Sequence, residues 1–122
     1  MLLTSDEILS EPAGKRLDAW VAEHVMGWRP LALSRDFDGN FFPEDAPNYS
    51  TDIAAAWQVV EKMRADGWHY SIGSLPGGII RVNFSFTTSS GFEEIELTGN
   101  SIPELICRVA LWGKQKGTTA PK

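Results

Sequence analysis

The segment Asn48–Trp57, NYSTDIAAAW, places a phenol ring, two hydroxyls and a carboxylate directly ahead of an apolar run. Two kinds of chemistry use that pattern. At a helix start, a hydroxyl accepts from one of the unpaired N–H groups, and Asp52 in the first turn favours the positive end of the helix dipole. At a ligand site, Tyr49 stacks beside a bound ring and Asp52 pairs with a ribose hydroxyl. A phosphate suits the place less, because Asp52 already supplies the negative charge. Arginine is the second residue type with recognition chemistry. Arg108, beside Cys107, and Arg29, beside Trp28, can fork a phosphate or stack on a base, or simply lay their stems over apolar surface.

The remaining motifs read as architecture. GSLPGG (Gly73–Gly78) lacks the Lys-Ser/Thr of a phosphate-binding loop and reads as a hairpin turn. DFDGN (Asp36–Asn40) has its glycine too early for a calcium loop and reads as an Asp-Gly turn. His24 falls on an apolar helix face, and His69 stands apart from any cysteine, so neither has metal-ligand spacing. Cys107 reads as core, and Glu93, Glu94 and Glu96 as a charged strand edge. No acid–base pair or nucleophile stands out, so the expectation is no enzyme, no metal and no cofactor.

At 122 residues one domain is expected, spanning 1–113 with a flexible polar tail at 114–122. The apolar share of 43% is that of an ordinary globular protein with a real core. A net charge of −5, with three lysines confined to the tail, argues against duplex nucleic acid as a partner. A single cysteine rules out an intramolecular disulfide. The start MLLTSDE reaches acids before an apolar stretch forms, and no run approaches membrane-spanning length. A cytosolic protein is expected.

Periodicity places the elements. A short turn at Thr4–Leu9, with Thr4 and Glu7 spaced as a capping box, precedes a helix from about Glu11 to Met26. Ser10 caps that helix, Pro12 lies in its first turn, and Leu17, Trp20, Val21, His24 and Val25 form its stripe. Trp28–Ser34 reads as a first strand and Arg35–Pro47 as a loop. A second helix begins after Ser50 or Thr51 and buries Ile53, Ala56, Trp57, Val60 and Met63. From Trp68 the period becomes two. Three strands follow as an antiparallel meander, with Ile80, Val82, Phe84 and Phe86 on one face of the middle strand and Arg81, Asn83 and Ser85 on the other. A last helix, boxed by Ser101 and Glu104, turns Leu105, Val109 and Trp112 inward. The order α-β-α-β-β-β-α gives an α+β fold, a small single-domain layered sandwich whose helices bury their stripes on the sheet.

LDAWVAEHVMGW (Leu17–Trp28), PNYSTDIAAAWQVVEKM (Pro47–Met63) and PELICRVAL (Pro103–Leu111) together resemble the phage ABA (α/β/α) sandwich domain family. The resemblance implies the fold and a phage or prophage origin. It also implies a functional theme: small non-enzymatic phage proteins that sequester nucleotide immune signals, as the Thoeris anti-defence sponges do. On that reading Arg29 and Arg108 hold phosphates or bases, Trp28, Tyr49 and Phe84 are stacking surfaces, and Asp52 takes a hydroxyl. The ligand is a cyclic-nucleotide or cyclic-ADP-ribose-type signal in the infected host's cytoplasm, and a homo-oligomer shares the pocket. The alternative is a protein–protein interaction module that inhibits a host protein, marked by an apolar patch ringed with acids instead of a basic concavity. A hydrolase acting on the same nucleotides is the third reading.

Overall fold

The computed structural model describes residues 4–27, 46–88 and 91–115. The expected first strand at Trp28–Ser34 and nearly all of the following loop lie outside the described residues. Four helices and three strands make up the rest: α1 (Ser5–Ser10), α2 (Lys15–His24), α3 (Ile53–Ala65), β1 (His69–Leu75), β2 (Ile79–Thr88), β3 (Gly91–Gly99) and α4 (Ile102–Gln115). Among the described residues the order is therefore α-α-α-β-β-β-α, an α+β sandwich built on an antiparallel meander β1-β2-β3.

Alternation along β2 decides the sheet. Val82, Phe84 and Phe86 are buried on one face. Their register partners, Ile72 and Tyr70 on β1 and Leu97, Ile95 and Glu93 on β3, share that face. The β1–β2 turn at Pro76–Gly78 works because Gly77 and Gly78 take φ of 84° and 79°, which side chains resist.

The capping box expected at α1 is present, with Glu7 N–H donating to Thr4 Oγ1 and Thr4 N–H to Glu7 Oε1. The single helix expected over Glu11–Met26 is not formed. Ser10 closes α1, and α2 begins only at Lys15. Pro12 disfavours a helical Glu11, and Gly14 at φ 152° breaks the path in a region open to glycine alone.

Two further expectations need correcting. The buried face of α3 is Ala55, Ala56, Val59, Val60 and Met63, whereas Ile53 is 50% and Trp57 39% exposed. Nor do all helices rest on the sheet: α3 and α4 contact it, while α1 and α2 pack against α4. Helix α4 is thus surrounded, and Leu105, Ile106, Cys107, Val109, Ala110, Leu111 and Gly113 are all buried. A helix apolar around most of its circumference has that interior place. It also extends past the expected end of the domain at residue 113. Lys114 donates to Asp66 at 2.7 Å, and Lys62 reaches the same carboxylate, tying the end of α3 to α4. Partial burial opposes ionisation of Asp66, but the lysines outweigh it and hold its pKa below the usual carboxylate value.

Close approach of α4 to the sheet depends on Gly113. A Cβ there would lie 3.2 Å from Trp68, whose ring packs edge-on to Phe86 with centroids 4.7 Å apart. Gly113→Ala is expected to destabilise the fold by about 1–3 kcal/mol through overpacking, read as a lower urea midpoint at unchanged slope.

Candidate functional site

The turn at residues 47–52 is held to α2 by a buried polar node. Asp18, 1% exposed, accepts from the Ser50 amide at 2.7 Å and from the Ser50 hydroxyl at 2.6 Å. Ser50 Oγ in turn accepts from Gly14 N–H at 2.9 Å. Lys15 Nζ bonds Asn48 Oδ1 at 2.8 Å on the outside of the same junction. So the polar excess ahead of α3 is divided between two tasks. Asp52 is the N-cap, accepting from Ala54 N–H at 3.1 Å, and Ser50 is an interior strut.

Asp18 is the residue that sequence reasoning missed. It sits between Leu17 and Ala19 in an amphipathic pattern, where an acid is normally solvent-facing. The signal available was an acid one step from the apolar stripe together with surplus hydroxyls elsewhere.

Tyr49 is 1% exposed and Phe84 fully buried, so neither ring offers a face for stacking a ligand. Both complete the core, Phe84 on the inward face of β2 and Tyr49 beneath the turn. Burial, with Cys107 and Asp18 nearby, pushes the Tyr49 phenol up from its ordinary pKa. Burial likewise drives the Cys107 thiol well up, with Asp18 and Glu104 adding to the effect and Arg108 opposing it. Cys107 is therefore a core thiol.

Arg108 is committed to the fold. Its guanidinium pairs with Glu104 one turn back on α4, and Nη2 donates to the Glu11 carbonyl at 2.9 Å, fastening α4 to the end of α1. Its buried Nε has no acceptor among the described residues. Asp52 lies at the exposed start of α3. Trp28 and Arg29 lie outside the described residues. The four described members of the expected set are thus divided between the core, the α4–α1 junction and the cap of α3.

Side chains missed as a surface do converge elsewhere. Ile53 and Trp57 lie one turn apart on α3, and Trp57 meets Tyr70 of β1 edge-on at 5.4 Å. Tyr70 is 38% exposed. Exposed acids, Asp52 and Glu61, stand at the two ends of this α3 face. The patch is an apolar surface with a polar rim, not a basic concavity.

The geometry defines an α+β sandwich with a buried central helix and an exposed aromatic seam. The family model for the phage ABA sandwich domain matches residues 19–111, and the protein belongs to that family. No curated protein and no solved structure matches the chain significantly. Among the described residues, no helix is long and apolar enough to cross a membrane.

The node predicts a specific coupling. Ser50→Ala and Asp18→Ala should each destabilise by about 1–3 kcal/mol, because each strands a buried partner. The double variant should cost clearly less than the sum of the two, as measured by denaturant unfolding in a double-mutant cycle.

Proposed function

We infer that the protein is a non-enzymatic binding module of phage origin that acts by occupying a host protein. The observation that carries this reading is the Ile53–Trp57–Tyr70 patch. Half-exposed aromatic side chains fixed against one another lose little entropy on binding and serve as anchors, and a rim of acids steers and orients a partner. Glu61 pairs with Arg64 at 3.2 Å, so that end of the rim carries both signs while Asp52 marks the acidic end.

Sequestration of a cyclic-nucleotide or cyclic-ADP-ribose-type signal, the anti-defence sponge reading, is the second. It rests on Trp28 and Arg29 as the remaining ligand groups, and on Arg108 Nε, which is buried and has no acceptor among the described residues. Against it, the stacking role is lost for Tyr49 and Phe84, and Asp52 is engaged in capping.

Purification of the full chain from an infected or signal-producing host, followed by heat denaturation and mass spectrometry, separates the two. The protein-binding reading expects a host protein retained in near-stoichiometric amount by the wild type and lost from Trp57→Ser, whose circular dichroism is unchanged. A nucleotide released at close to one per chain, with no protein partner retained, overturns that reading in favour of the sponge.

A further inference from the structure

The sheet has a second face, turned away from α3 and α4, and its charges are sorted. The alternation that buries Val82 and Phe84 sends Arg81, Asn83 and Ser85 outward, together with His69, Ser71 and Gly73 of β1 and Glu94, Glu96 and Thr98 of β3. On the β1 side stand the imidazole of His69, the hydroxyl of Ser71 and the guanidinium of Arg81. Arg81 lies across Gly73, with Nη2 3.7 Å from where a Cβ would be. On the β3 side stand the exposed carboxylates of Glu94 and Glu96.

Asn83, 8% exposed between the two sides, donates from its amide to Glu94 and, at 3.4 Å, to Glu96. Those bonds fix the carboxylates over the strand without neutralising them. Arg81, Glu94 and Glu96 have no ion-pair partner among the described residues. One cation and two anions on the same small face, each without an ion-pair partner among the described residues, form a pattern that a second copy completes.

We propose that this sheet face is a two-fold interface between copies of the chain, with Arg81 of each copy paired to Glu96 of the other and His69 set against its Glu94. The register supplies the argument. His69 is level with Ser85 and Glu94, Ser71 with Asn83 and Glu96, and Gly73 with Arg81 and Thr98. A two-fold axis along β2, midway between facing sheets, lays β1 of one copy over β3 of the other at the same level. His69 then faces Glu94 of the second copy, and Ser71 faces its Glu96. Arg81, with its stem over Gly73, lies opposite Thr98 of the second copy and reaches the neighbouring Glu96, and every such contact occurs twice. Facing sheets sit roughly 10 Å apart, a gap that arginine and glutamate span. Ile79, 40% exposed, meets its own counterpart near the axis at one end.

The same arithmetic bounds the affinity. Three strands at a spacing of about 4.8 Å make a narrow face, short of the roughly 800 Å² per partner of a standard interface. The dimer is therefore held by few contacts, most of them between charges, and weakens with salt. This surface is separate from the Trp57 patch and does not depend on the function assigned to it.

Sedimentation equilibrium of the full chain over a range of concentrations tests the proposal. The wild type should show a monomer–dimer equilibrium that weakens at high salt. Arg81→Glu and the double variant Glu94→Lys/Glu96→Lys should each raise the dissociation constant about tenfold or more, while circular dichroism and thermal midpoint confirm folding. Mixing the two variants should restore association as a heterodimer. A wild type that stays monomeric throughout overturns the proposal. So does a dimer indifferent to both charge reversals, or one abolished by Trp57→Ser alone.

Discussion

The hydrogen bonds between Asp18 and Ser50 are the constraint on which the helical side of the molecule depends. A carboxyl group 1% exposed has left water, and that is tolerable only where donors replace the lost hydration. Ser50 supplies two donors, from its amide and its hydroxyl, while its oxygen accepts from the amide at the start of α2. Two chain segments 32 residues apart in sequence are thereby fixed end to end. The entry of α3 is set by this junction more than by its own cap, which involves only the exposed carboxylate of Asp52.

With α2 and α3 joined, α4 is enclosed. It presents apolar side chains to α2 and α1 on one side and to β2 and β3 on the other. Arg108 and Lys114 secure its two halves from the flanks, through Glu11 and Asp66. The consequence for function is that the arginine best placed in sequence to hold a ligand is engaged by the fold. Among the described residues, exposed aromatic side chains meet at the α3–β1 seam, and charges without an ion-pair partner stand on the outward face of the sheet.

How much of this was legible follows from which interactions are local. The meander was readable because burial on one face imposes a period of two, and glycine at 77 and 78 is what its turn requires. The Thr4–Glu7 box was readable because it is closed within four residues. The phase of α3 was not, because Ala54, Ala55 and Ala56 fit either a packed or an exposed face, and the position of α4 chose between them. Asp18 was invisible for a related reason, since its partner is brought to it only by the tertiary fold. The site residues fared worst: aromatic rings at 49 and 84 serve a core as readily as a ligand, and only burial distinguishes the two uses. The family likeness identified the fold and carried no residue-level chemistry to correct that choice.

The most direct measurement of the central claim is native-state hydrogen exchange at the Ser50 amide. If its bond to Asp18 anchors the helical layers, this amide should exchange only on global unfolding, with a protection free energy equal to that of Val59 and Val60 in the middle of α3. Exchange at the rate of an open surface turn, with α3 still protected, would contradict the account and leave the Asp18–Ser50 contact incidental to the fold.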